Sequence, residues 1–522
     1  MKAMAAFTYP GVYIEEISSG QNTITGVATS IAAFIGWSNQ GPVGEAVMVE
    51  SWAEYQATFG GMIPGIYLGY AVYQFFLNGG SQAYIIRLVE TGTAVTSSHT
   101  VGGLSFSANS PGAWGNNISV AISNLNTTNH TFNLVVTMVN AAGNTVTLES
   151  YTNLSIYQAN AQYAVTVINN DSNYIQLNAT PSGSPSAITM PSVATATSLN
   201  GGTTATTGND GTILLPGSAD FLAQLNSTAS ATLLSGYQLL DNVSIFNLLC
   251  VPGENDAATV ALLQKFCSDN RAFLIVDSAE AAVIGSGSSG LSHTGPADGT
   301  GATLVDAYAS NSAFYFPWVQ AADPQAGYRP ALFPPCGFVA GMYAATDAGR
   351  GVWKAPAGID ASLTGALGLQ VNMTDPQNGI LNQLGINCLR QFPIYGNVIW
   401  GARTMAGADA AGSEWKYVPI RRLALFIESS LYSGTQWAVF EPNSEPLWGQ
   451  VRLSVGTFMQ GLFLKGAFAG TSPQTAYFVK CDGENNPDAS VAQGILNITV
   501  GFAPLYPAEF VVIQIQQMIN QS

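Results

Sequence analysis

Charge is scarce in this chain. Asp, Glu, Lys and Arg make up 9% of its 522 residues, where about 25% is usual for a globular protein. Positive charge is scarcer still: no Lys or Arg occurs between Arg87 and Lys265, while eight carboxylates do. With a net charge of −16, a nucleic-acid-binding role, which needs clustered cations, is excluded. Only three histidines are present, His99, His130 and His293. None has a second His, Cys or paired carboxylate at ligand spacing, so nothing marks a metal centre. No Gly-x-Ser-x-Gly elbow and no Walker A loop occurs, so the common nucleophile and phosphate-binding signatures are missing too. No cofactor is implied.

Cysteine is few and odd in number: Cys250, Cys267, Cys336, Cys388 and Cys481, with no Cys-x-x-Cys. That pattern excludes a disulfide scaffold and fits free thiols in a protein made in the cytosol. Cys250 and Cys267 lie in apolar patterns and read as core residues. Cys481, beside Asp482-Gly483, reads as the exposed one. No apolar run reaches the length of a membrane span, so no membrane insertion is expected. The N-terminal Ala/Met stretch is too short for a signal-peptide core.

What remains is apolar and aromatic. Hydrophobic residues are 47% of the chain, with 24 Phe, 21 Tyr and 9 Trp, which is the composition of a folded protein and not of a disordered one. So few charges leave a surface of Ser, Thr, Asn and Gly, or of apolar groups covered by partners. The charge is also split. Residues 88–264 carry a net −8, and residues 350–480 carry ten cations against seven anions. Two regions of opposite character suggest two kinds of contact.

Pattern along the chain predicts an α/β core with an inserted all-β domain and extended arms at both termini. Residues 1–26 form an N-terminal arm in which Tyr9, Val12, Tyr13, Ile14 and Ile17 sit in an extended, partly alternating segment after Pro10. Residues 27–90 are the first part of the core: a buried strand at 31–37, a helix opened by the capping box Ser51–Glu54, a strongly apolar helix at 66–77 and a strand at 83–89. Residues 91–235 turn to Thr, Ser, Asn and Gly with short alternating runs, including 118–122, 132–139, 145–148, 163–168 and 174–177, and read as an inserted β module. The α/β pattern resumes in 236–375, with strands at 245–251 and 272–276 around a helix at 256–266. Residues 376–506 read as helical, with long apolar-striped helices at 376–392, 413–432 and 444–466. Residues 507–522 form a C-terminal arm whose Val511, Ile513 and Ile515 alternate on one face. A Gly-x-Gly-x-x-Gly stretch, Gly285 to Gly290, follows a short predicted helix at 278–283 and opens no helix, so it reads as a loop and not as a dinucleotide site. The α/β pattern by itself leaves a cytoplasmic enzyme open, and the β module leaves a decoration protein or adhesin open.

Several stretches together resemble the contractile bacteriophage tail sheath family. They are Tyr9-Pro10-Gly11-Val12-Tyr13-Ile14-Glu15-Glu16, Thr29-Ser30-Ile31-Ala32-Ala33-Phe34-Ile35-Gly36 with Gly41-Pro42, and Ser110-Pro111-Gly112-Ala113-Trp114-Gly115-Asn116. The longest block runs from Pro334-Pro335-Cys336-Gly337 and Ala340-Gly341 through Asp347 to Arg350-Gly351-Val352-Trp353-Lys354-Ala355-Pro356-Ala357-Gly358. Asn387, Arg390, Trp400-Gly401-Ala402-Arg403-Thr404 and Arg421-Arg422 follow. Their order and spacing make the match specific, and it is poorest over about 130–235. The family places Ser where Cys336 stands, so no function is assigned to that thiol. The resemblance implies a structural homo-oligomer of stacked rings around an inner tail tube protein, bounded by baseplate and tail terminator proteins. It is assembled metastable and contracts to drive the tube through an envelope. It also implies that both arms add strands to neighbouring subunits. On the charge split, the basic region at about 380–500 is expected to face the tube, with Arg421, Arg422, Arg452 and Lys465 as candidate contacts, and the acidic module to face outward.

Overall fold

The computed structural model of the chain describes residues 22–90, 92–140, 143–178, 187–201, 205–227, 234–285, 287, 290–512 and 514. Two compact units emerge. Of the described residues, the larger holds those within 28–423 and 507–514; the smaller holds 22–27 and 424–506.

The larger unit is built on runs of apolar residues too short for helices and too continuous for a half-exposed sheet. These are β1 (Ala32–Trp37), β2 (Ala46–Val49), β3 (Ala83–Leu88), β4 (Leu248–Cys250), β5 (Phe273–Asp277), β6 (Ser312–Phe316), β7 (Ile386–Phe392) and β8 (Gly396–Ile399). They form one eight-stranded sheet in the order β8-β7-β6-β5-β4-β1-β3-β2. The six inner strands are parallel and the two edges antiparallel. Parallel strands are covered on both faces, which is why β1, β4, β5 and β6 are buried at every position.

Side chains alternate between the faces. Ile35, Leu249, Leu274, Val276 and Phe314 meet helix α2 (Ala257–Asp269) through Val260, Leu263, Phe266 and Cys267. The opposite face takes helices α1 (Tyr67–Leu77) and α3 (Cys336–Arg350), with Phe34 edge-on to Phe75 and Tyr315 edge-on to Tyr343. Two glycines four residues apart let α3 lie directly on α1. A Cβ at Gly337 would come within 2.3 Å of the Ala71 carbonyl oxygen, and one at Gly341 within 2.6 Å of that of Phe75. At the sheet's C-terminal end, Asp277 is fully buried and accepts from the backbone N–H groups of Cys336 (2.8 Å) and Gly253 (2.9 Å). It thus serves the first turn of α3 from a distant strand.

The inserted module has its own core. Strands at Ile118–Asn126, Thr131–Val139, Thr145–Ser155 and Ala194–Ser198 form a four-stranded antiparallel sheet, and Ser98–Val101, Leu104–Ala108 and Ile175–Leu177 a three-stranded one. They bury Phe106, Ile122, Phe132, Leu134 and Ile168 together. One expected strand is corrected: residues 163–168 lie largely in a helix, Ala164–Asp171, with Ala164 and Ile168 buried one turn apart. The apparent alternation came from β-branched residues that the helix tolerates. Leu214, Phe221 and Leu225, read from sequence with the module, pack instead with the main sheet's core.

Two expectations further along also change. The helix expected at 376–392 is a short helix, Asp375–Gln383, followed by β7, because Gly385 at φ +82° breaks the helical path. No helix covers 278–283; a four-residue turn of helix, Leu291–Thr294, follows the glycine stretch.

The smaller unit contains most of helix α4 (Val418–Gly434), α5 (Glu445–Leu464) and a two-stranded antiparallel sheet of β9 (Tyr477–Lys480) and β10 (Thr499–Phe502). Residues 24–27 dock on these helices. Ile24 is buried against Gly434, and the Val27 N–H donates to Ser430 Oγ at 3.2 Å.

Candidate assembly surface

In the larger unit, β7 and the turn after β8 build a socket around one cation. Asn387 is fully buried on β7; its side chain accepts from the Arg403 N–H and donates to the Arg403 carbonyl, both at 2.7 Å. An Asn side chain here substitutes for a neighbouring strand, and Gly401 leaves room for it. Arg403 is thereby fixed with its side chain 0% exposed. Its Nη1 donates to the Asn382 carbonyl (2.8 Å) and Asp409 Oδ1 (2.9 Å). Its Nε and Nη2 form a bidentate pair with Glu509, at 2.8 and 2.6 Å. Tyr417 Oη donates to the same carboxylate at 3.3 Å. Lys416 completes the cluster at 2.7 Å from Asp409. The Asp409 carboxyl is held below its usual range, first by the Lys416 hydrogen bond, with Arg403 adding against partial burial.

The three residues after Glu509 are not covered. Phe510 is 77% exposed, and Val511 and Val512 80% each. Residues 509–512 form no strand in the isolated chain. The other arm positions, Ile513 and Ile515 with Tyr9, Val12, Tyr13, Ile14 and Ile17, lie outside the described residues.

In the smaller unit, β9 and β10 pair with one another (Tyr477↔Phe502, Lys480↔Thr499) and with no other described strand. A two-stranded ribbon is marginal in water and presents two open edges. Phe478 lies on it, more than half exposed.

The four basic candidates separate. Arg422 is buried: it makes a bidentate pair with Asp347 (2.9 and 2.7 Å), donates to the Thr29 carbonyl and covers the Tyr343 ring. Its charge is used inside the subunit, which corrects its candidacy as a surface contact. Arg421 is half-buried, 3.1 Å from Asn311 Oδ1 and stacked on Trp415. Arg452 pairs with Glu445 at 2.6 Å and reaches the Cys481 carbonyl. Lys465, at the end of α5, is exposed.

Among the described residues, no group of three His, Cys, Asp or Glu could hold a metal ion. No helix there is long and apolar enough to cross a membrane. All five cysteines are free and buried, Cys481 included. Its exposure was misjudged because the polar turn after it folds back, with Asn486 over the sulfur.

Residues 240–405, which include β4 to β8, α3 and Arg403, match the phage tail sheath protein central domain. The match places a phage tail sheath central domain in the middle of the chain. It is 24% identical over 179 residues to the tail sheath protein of Vibrio phage KVP40, and 26% over 180 residues to a putative prophage major tail sheath protein of Pseudomonas aeruginosa. Each match covers 34% of this chain, but only 25% and 44% of those two proteins. The sheath of an extracellular contractile injection system, PVC, in its contracted state, is similar over 99% of both chains, with a TM-score of 0.58 and 21% identity. This likeness shows a shared fold.

The family blocks now have physical roles. Pro335 to Gly341 is the close approach of α3 to α1; Asp347 is the partner of Arg422; Asn387 and Gly401 to Arg403 build the socket. Glu509 was missed as a functional residue. It stands 106 positions from Arg403, and nothing local distinguishes it from a solvated carboxylate.

Proposed function

We propose that this chain is a sheath subunit that polymerises as stacked rings around an inner tube, in an extended state that later contracts and drives the tube forward. The observation that carries the reading is the pairing of needs within one chain. Phe510 to Val512 are apolar and uncovered, and a ribbon of two short strands pairs with no other described strand. Strand addition satisfies both, because main-chain hydrogen bonds give affinity and alternate side chains give register. An added strand matching β9 makes on the order of four main-chain bonds, worth roughly 0.5–1.5 kcal/mol each net. Joined only through such strands, folded units can rotate as rigid bodies while their links persist. The role is structural and needs no cofactor, since two packings of one lattice differing in free energy suffice.

For the tube, Lys465, Arg452 and Arg421 are the candidates. The exposed side of α5 also carries Leu453 and Leu464. The inserted module, net negative and with a separate core, is the part proposed to face outward. Baseplate and terminator proteins are the proposed partners at the two ends. Electron microscopy of the purified chain tests the reading: long hollow cylinders are expected. Deletion of residues 510–522 is expected to leave folded subunits that make none. Cylinders of normal length from the truncated chain, or none from the full chain, overturn it.

A further inference from the structure

We propose that the Arg403 socket is a preformed carboxylate receptor whose occupant, Glu509, clips the C-terminal segment to its own subunit and so fixes where the exposed segment Phe510–Val512 departs. The inference rests on the assembly reading above for its purpose, but not for its existence.

The receptor is complete without the tail. Asn387 holds the Arg403 main chain from both sides, and Nη1 is held by the Asn382 carbonyl and Asp409. The guanidinium is always charged and its donors form a rigid fork. With Nη1 committed inward, the Nε–Nη2 edge is left facing one carboxylate, and Glu509 meets it with both oxygens. Such paired, charge-assisted contacts are the strong ones.

The surroundings of Glu509 make it an anchor and not a core residue. Its side chain is 16% exposed, while Ala508 before it and Phe510, Val511 and Val512 after it are all exposed. One largely covered carboxylate therefore sits between exposed neighbours. Within the isolated chain the three exposed apolar residues that follow gain no cover from this anchorage. A fixed start does have a use: it removes part of the ordering cost when the following residues dock on an edge of a second copy.

The test uses the full chain and two variants, Glu509→Ala and Glu509→Gln. In unassembled subunits, chymotrypsin cleavage after Phe510 is followed by mass spectrometry. Both variants are expected to be cut about ten-fold faster than the parent, the factor that losing charge-assisted hydrogen bonds gives. Acetate at about 100 mM, as a free carboxylate, is expected to fill the emptied receptor of Glu509→Ala and raise its melting temperature. It is not expected to slow the cleavage or restore cylinders, because it has no tether to the tail. Glu509→Gln keeps the shape and one acceptor, and serves if the alanine variant fails to fold. Unchanged cleavage in the folded variants overturns the clip, as does acetate restoring cylinders. If the parent forms no cylinders while the variants are still cut faster, the assembly reading fails and the clip stands.

Discussion

Replacing Asp347 by Ala removes the counter-charge of a guanidinium that cannot lose its proton. Both side chains of the Asp347–Arg422 pair are 3% exposed. The substitution leaves Arg422 with the Thr29 carbonyl and the face of Tyr343, but without the two carboxylate contacts at 2.9 and 2.7 Å. Breaking a buried pair from one side costs about 3–5 kcal/mol, because a charge stays buried and unpaired. Domains have roughly 5–15 kcal/mol in total, so the loss is a large fraction of that stability. Removing both charges in Asp347→Leu with Arg422→Met takes away the orphan along with the pair, and is expected to recover most of the loss. Urea unfolding followed by tryptophan fluorescence measures it, as a shift of midpoint at unchanged slope. A single Asp347→Ala that stays within about 1 kcal/mol of the parent refutes the reasoning. So does a double variant whose loss is the sum of the two singles, since neighbours in one pair are expected to couple.

Burial pushes the Asp277 carboxyl up to about 6, against the two backbone N–H groups that favour its charged form. The folded pKa thus lies above the unfolded one, so this group's contribution is fully present below about pH 4 and is lost as pH rises through 6, by roughly 3 kcal/mol. The parent's stability relative to Asp277→Asn should therefore fall between pH 4.5 and 7; a pH-independent difference refutes this. All five thiols should be unreactive to a thiol reagent in the folded chain and titrate together in denaturant. Burial raises the pKa of Cys481 and pushes that of Cys388 up to about 12, and the thiolate is the reactive form. Assembled particles should then run as monomers on non-reducing gels, and a covalent ladder would contradict the buried Cys481. Gly341→Ala places a methyl against the Phe75 carbonyl and Asn78 and should cost about 1–3 kcal/mol by thermal melting; an unchanged melting temperature refutes the close approach.

Where burial and local pattern agree, the fold was legible. The continuous apolar runs at 32–37 and 273–277 could hardly be anything but central strands. Ser51 caps its helix as its spacing implied, accepting from Glu54 N–H at 3.2 Å. Short amphipathic stretches were not legible. Residues 164–168 satisfy a strand's alternation and a helix's turn equally well, and tertiary packing chose the helix. At 376–392 an apolar stripe hid the change of period at Gly385. The candidate site was the least readable part. Arg421 and Arg422 look alike in sequence, yet Arg422 pairs with a buried carboxylate 75 positions away while Arg421 stacks on Trp415. Likewise Arg403 and Glu509 acquire roles only from each other. Long-range ion pairs leave no local period, so the arms and the socket could be suspected from motifs but not joined.

The position of β1 has a consequence for synthesis. It is an interior strand, and one neighbour, β3, follows within a short stretch of chain. Its other neighbour arrives only after the whole inserted module: Ile31 N–H bonds to Asn247 Oδ1 across 216 residues, and Ala32 pairs with Leu248. As the chain leaves the ribosome, β1 to β3 must wait with a bare edge while the module is made. Such delayed, non-local pairing is slow and exposes strands to misassembly. The module's separate hydrophobic core lets it fold during the wait and bring its two ends back, shortening the search for β4. Changes that loosen the module's core would then be felt first as poor yield of soluble subunit.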